Sequence, residues 1–143
     1  MKKARILIIE DEKLIRWSLR QHIHEQGYQV DEAQTGREGL DTFAQNTFDL
    51  ILLDHRLPDM TGLQVLESIR EQDSDVVVIL ITAYSNVEDA VQAMRLGAHD
   101  YISKPFKMDA LMVTVNKALE TTHLKREVRD LRAQMQKKFG LLT

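Results

Sequence analysis

Apolar residues along this chain cluster in two alternating patterns. Short runs with β character fall at Arg5–Ile9, Gln29–Ala33, Asp49–Leu53, Val76–Thr82 and His99–Ser103. The first, third and fourth are nearly unbroken apolar stretches, as expected for strands covered on both faces. The second, Gln-Val-Asp-Glu-Ala, is more polar and fits a sheet edge. Between the runs lie helix-like segments at about 12–26, 36–45, 62–71 and 86–96, with a fifth from Lys107 onward. Leu14, Ile15, Leu19 and Ile23 are expected on one face of the first helix. Gly27 and Gly97 stand where the first and fourth helices need a left-handed residue to end. Asn86 is placed to cap the fourth, with Asp89 in its first turn.

Regular alternation of strand and helix implies a parallel sheet with right-handed crossovers and helices on both faces. Five strands at this length favour an α/β doubly wound sheet of order 2-1-3-4-5, the flavodoxin-like arrangement. The last helix breaks the rhythm, because its pattern runs on to about residue 138. Leu111, Val115, Ala118 and Leu119 share one helical face. A second series, Leu124, Val128, Leu131 and Met135, follows at spacings of four, three and four, out of phase with the first. That is a two-heptad seam, with Glu127 and Arg132 at flanking positions, and we expect it to be a dimerisation stripe. The chain therefore divides into a domain over 1–122 and a helical linker, a candidate coiled coil, over 123–143.

Composition narrows the options. The 143 residues suffice for one domain with a real core, and the absence of cysteine excludes disulfide and thiolate chemistry. The longest apolar run, Val76–Ile81, is far short of the ~20 residues that span a bilayer, and the N-terminal apolar run is too short for a signal peptide. The reading is cytoplasmic, with no membrane partner. Residues 124–138 carry six basic and two acidic side chains, a net of +4, so the rest of the chain holds −7 of the total −3. An acidic body does not grip nucleic acid by itself, and the basic run reads as a solvated helix face.

Candidate chemistry collects at one edge of the expected sheet. Glu10 and Asp11 follow the first strand, Asp54 the third, Thr82 closes the fourth and Lys104 follows the fifth. In this topology all these ends lie together, with strands one and three adjacent at the switch point. Three carboxylates in one shallow pocket repel unless one keeps a proton or a cation joins them, and hard oxygen ligands suit Mg²⁺. A glycine-rich phosphate loop is absent after the first strand, which counts against nucleotide and flavin binding. No His or Cys is placed as a nucleophile–base pair. His55 adjoins Asp54 but is expected to point away from the pocket. Trp17 reads as a packing or surface residue, and Met60, Met94, Met108 and Met112 as gap fillers.

At these residues the chain resembles the receiver domains of two-component response regulators, over about residues 4–122. The likeness rests on Glu10-Asp11, the run from Asp54 through Leu57-Pro58 to Gly62, Thr82-Ala83, Tyr101 and Lys104-Pro105, in order and spacing. It implies that Asp54 accepts a phosphoryl group from a histidine kinase. It implies Mg²⁺ bound by Asp11, Asp54 and the backbone carbonyl of Arg56, with Glu10 acting mostly through water. It also implies that Thr82 and Lys104 contact the phosphoryl group, that Tyr101 reports the state of Thr82, and that Lys104–Pro105 is cis. Such a protein is a phosphoacceptor switch rather than an enzyme. The ending from Leu124 resembles the linker of sigma-54-dependent activators, which implies an AAA+ and DNA-binding output beyond this chain, reached as a homodimer. The alternative is a stand-alone single-domain regulator. A haloacid-dehalogenase-type phosphohydrolase would carry its acceptor after the first strand with a second Asp two residues on. Here Asp54 follows the third strand and position 56 is Arg.

Overall fold

The computed structural model describes residues 4–83 and 86–139. Five strands, β1 (Arg5–Ile9), β2 (Gln29–Ala33), β3 (Leu50–Asp54), β4 (Val77–Thr82) and β5 (Asp100–Ser103), alternate with five helices, α1 (Lys13–Glu25), α2 (Gly36–Gln45), α3 (Gly62–Gln72), α4 (Val87–Arg95) and α5 (Met108–Phe139). All strand pairs are parallel, in the order β2-β1-β3-β4-β5. This is the doubly wound sheet expected from the alternation, with the polar β2 at the edge. Residues 1–3 and 140–143, the two ends of the expected domain and linker, lie outside the described residues.

Alternate side chains of each strand feed two cores. Leu7, Ile9, Ile51, Leu53, Val78 and Leu80 point to the face covered by α2, α3 and α4, together with Phe43, Val65, Leu66 and Ile69. Ile6, Ile8, Leu50, Leu52, Val77, Ile79 and Ile81 point to the face covered by α1 and α5, with Leu19, Ile23, Leu111, Val115 and Ala118. Two-sided burial is why these strands are continuous in apolar residues rather than alternating.

The three helix ends marked in the sequence, at Gly27, Gly97 and Asn86, carry the chemistry expected of them. Gly27 and Gly97 have φ of 93° and 99°. Asn86 accepts a hydrogen bond from Asp89 N at 2.8 Å. Thr61 and Gln64 form a reciprocal capping box at the start of α3. Two expectations need correction. Leu14 is 82% exposed: the α1 stripe that meets the core is buried Leu19 and Ile23 with half-buried Ile15, at strict four-residue spacing, and Leu14 lies one residue, about 100°, off it. Met94 is exposed rather than a gap filler, whereas Met60, Met108 and Met112 do pack against the cores. Trp17 is exposed on α1.

The α5 helix spans 32 residues, about 48 Å at 1.5 Å per residue. Its first half buries Leu111, Val115 and Ala118, while Leu124, Val128, Leu131 and Met135 are all exposed. Past the sheet, Arg126 pairs with Asp49 and Arg129 with Asp75, the latter at 2.8 Å. The basic run is thus solvated, as expected, but two of its arginines tie it to the edge of the domain opposite the acidic cluster.

Candidate functional site

The C-terminal ends of β1 and β3 are adjacent, with Ile9 paired to Leu53. Asp54 is therefore the last residue of β3 itself, in register with Ile81, rather than the residue after it. Glu10 and Asp11 leave β1 beside it. One carboxylate oxygen from each of Glu10, Asp11 and Asp54 lies within 4.8 Å of the others. Lys104 reaches in from the end of β5, its Nζ 2.9 Å from Glu10 Oε1 and 3.3 Å from Asp54 Oδ1. The Lys104–Pro105 peptide is cis.

The electrostatics follow from this crowding. Burial pushes the Asp54 carboxyl up to about 8, Glu10 adds to the rise, and Lys104 offsets only part of it. Burial would lower Lys104, but Glu10 and Asp54 outweigh it and hold the ammonium above its usual range. Glu10 is almost fully buried, and its Oε1 lies near Lys104 without meeting hydrogen-bond geometry. Lys104 faces Glu10 Oε1 at 2.9 Å, while a lone pair of that oxygen stays open for a water or a cation. Clustered hard oxygens, an open lone pair and a carboxyl that burial and Glu10 push upward all fit a small divalent ion such as Mg²⁺.

The loop after β3 is fixed by backbone contacts. His55 N donates to Ile81 O at 2.8 Å and Gly62 N donates to His55 O at 2.6 Å. Arg56 bridges Thr61 in antiparallel fashion, and Gly62 has no room for a side chain, since a Cβ there would collide with the Asp54 carbonyl and sit 2.9 Å from His55 Cα. Asp59, which sequence reasoning passed over, accepts from Gly36 N at 2.8 Å and Arg37 N at 2.9 Å and so caps α2 across the loop. Those two backbone N–H groups hold its carboxyl below the usual range. Its signal in the sequence, an acid in a loop, is too common to single out.

Thr82 is fully buried at the end of β4. Its Oγ1 lies 2.9 Å from His55 Nδ1, and burial pushes the Tyr101 phenol up, an effect that the Thr82 side chain partly offsets. His55 was expected to turn from the pocket. It does leave the carboxylate cluster, but it meets another site residue, and its own burial pushes its ring down. A groove of about 500 Å³ lined by Leu14, Ile15, Ala83, Pro105, Phe106 and Met108 flanks Lys104.

An acidic, lysine-bearing pocket thus lies at the switch point of a doubly wound sheet, where this class of fold binds its ligands. Comparison with known proteins gives the family. Residues 6–116 match the family described as response regulator receiver domain, and the chain belongs to that family, the receiver domains of two-component systems. It is 42% identical to the regulatory protein AtoC of Escherichia coli over 127 residues, 89% of this chain but 28% of that protein. It is 40% identical to the transcriptional regulatory protein YkoG of Bacillus subtilis, over 89% of this chain and 56% of that one. Among solved structures, NtrX from Brucella abortus superimposes with a TM-score of 0.84 at 36% identity, covering 91% of this chain and 30% of NtrX. A CheY-like receiver domain from Methanospirillum hungatei gives 0.84 at 32% identity, covering 87% and 99%. The chain thus spans between about a quarter and just over half of the curated relatives it matches.

Proposed function

We propose that the chain is a phosphorylation-dependent switch in which Asp54 is the phosphoacceptor and Glu10, Asp11, Asp54 and the Arg56 carbonyl form the Mg²⁺ site. The observation that carries this reading is the convergence of three carboxylates and Lys104 on one point at the strand ends. A divalent ion there supplies positive charge that favours the ionised form of Asp54 and neutralises phosphoryl oxygens. An Asp54 carboxylate oxygen attacks the phosphorus of a histidine kinase's phosphohistidine. The P–N bond breaks, a P–O acyl phosphate bond forms, and the imidazole leaves with the electron pair. Lys104 balances charge on the new group, and Thr82 turns its hydroxyl toward it. Asp54 is consumed and regenerated by hydrolysis, so the chain turns over only itself and is not an enzyme on other substrates. The groove beside Lys104, with exposed Leu14, offers the kinase an apolar footing next to the acceptor.

Movement of Thr82 frees space for Tyr101 and alters the α4–β5 face, a two-state shift biased by the phosphoryl group. We read residues 1–122 as the receiver and 123–143 as a linker that pairs two chains along Leu124, Val128, Leu131 and Met135. These four side chains lie exposed on one helix. The partial coverage of AtoC and NtrX supports a longer regulator, and the linker's likeness to those of sigma-54-dependent activators supports a transcriptional output, with DNA reached only through that output. A cytoplasmic location fits this role. Among the described residues no helix is long and apolar enough to cross a membrane.

The test is phosphorylation with acetyl phosphate and Mg²⁺, read by intact mass. Wild type should gain one hydroxylamine-labile phosphoryl group and Asp54→Asn none. Label retained on Asp54→Asn refutes the assignment.

A further inference from the structure

The Thr82 hydroxyl is held by a residue that sits directly after the acceptor. His55 Nδ1 lies 2.9 Å from Thr82 Oγ1, and both side chains are buried. Either ring tautomer completes this bond, because a hydroxyl both donates and accepts. The ring has little freedom to follow the hydroxyl elsewhere. Its backbone is pinned on both sides, by His55 N to Ile81 O and by Gly62 N to His55 O, and the glycine leaves no slack where α3 crosses the strand end.

We propose that His55 is a positioning residue that restrains Thr82 in the resting state, so that activation must exchange the Nδ1–Oγ1 hydrogen bond for one to the phosphoryl group. The inference rests on the phosphoacceptor reading above and deepens it. When Thr82 turns, a buried ring nitrogen loses its partner, and a buried polar group left unmatched favours the state in which it is matched. The resting population is raised accordingly, and apparent affinity for anything that binds the active state falls by the same factor. One ordinary buried hydrogen bond corresponds to roughly a two- to tenfold effect. Removing the bond should therefore make the switch easier to throw.

The experiment is calorimetric titration of beryllofluoride, a phosphoryl mimic, into the full Mg²⁺-loaded chain. His55→Leu removes the polar atom. His55→Gln keeps an amide but carries it one bond too far out. His55→Asn restores a polar atom on Cγ, where Nδ1 is attached. We expect the Leu and Gln variants to bind two- to tenfold more tightly than wild type and the Asn variant to match wild type. In a Thr82→Val background, which lacks the hydroxyl, all three should be without effect. The ring resonances of Tyr101 in the unliganded Leu and Gln variants should shift part of the way to their beryllofluoride-bound positions. Wild-type affinity in both Leu and Gln, an equal change in the two backgrounds, or an Asn variant as altered as Leu would each overturn the role of His55. A wild-type chain that binds no beryllofluoride would overturn the phosphoacceptor reading instead.

Discussion

Replacing Asp54 by Asn should make the metal-free protein more stable at neutral pH, although it removes a residue at the heart of the site. The Asp54 carboxyl is pushed up to about 8 from an ordinary value of 3.8, first by burial and then by Glu10. Between those two values the folded chain keeps a proton that the unfolded chain has released, so stability is full below the ordinary value and declines as pH rises toward 8. At pH 7 the interval covers about three pH units at about 1.4 kcal/mol each, a ceiling of about 4 kcal/mol. Water at the mouth of the pocket relaxes part of that charge, and we expect about 1–3 kcal/mol to be recovered. Asn keeps the shape and cannot ionise. For a domain of this size the gain corresponds to a rise in Tm of about 4–12 °C. Thermal melts in chelator at pH 7.5 and pH 4.5, for wild type and Asp54→Asn, measure it. The gap should be large at pH 7.5 and nearly closed at pH 4.5. Mg²⁺ should narrow it from the wild-type side, because a cation stabilises the ionised cluster and raises the melting point by mass action. If Asp54→Asn is no more stable than wild type at pH 7.5, or if the gap is the same at both pH values, the electrostatic account of the pocket is wrong.

Other consequences follow from the same geometry. Asp11→Asn should weaken Mg²⁺ binding more than Glu10→Gln by titration calorimetry, since Glu10 is already engaged by Lys104 at 2.9 Å; equal losses would remove Asp11 as a direct ligand. Gly62→Ala should cost about 2 kcal/mol or more in denaturant unfolding, because the new methyl meets the backbone of Asp54 and His55 rather than a side chain that can move. Leu14→Asp should slow phosphoryl transfer from a cognate kinase while leaving the acetyl phosphate rate unchanged, Leu14 being 82% exposed; a drop in both rates would place Leu14 in the chemistry instead. Leu131→Asp should shift sedimentation toward monomer at tens of micromolar, and an unchanged distribution would remove the heptad seam from assembly.

Much of this protein was determined locally. The unbroken apolar runs of β1, β3 and β4 are what two-sided burial demands, and the helices between them allow only parallel pairing with crossovers, so topology and the meeting of Glu10, Asp11 and Asp54 follow from order along the chain. Gly27, Gly97 and Asn86 announce their helix ends because a positive φ or an unpaired N–H is a one-residue problem. The exposure of Leu14 was misjudged because a helical stripe is an average direction, and only packing decides which marginal position is covered. Tertiary structure alone decided the contacts between residues distant in sequence. Asp59 capping α2, Arg126 and Arg129 tying the long helix to Asp49 and Asp75, and His55 reaching Thr82 across 27 positions all depend on where separate elements come to rest. So does the height of the Asp54 carboxyl's titration, which needs the depth of the pocket and the distance to Lys104. Residue order can bring acids to one edge, but burial and separation, which set how charge behaves there, exist only once the cores on both faces have closed.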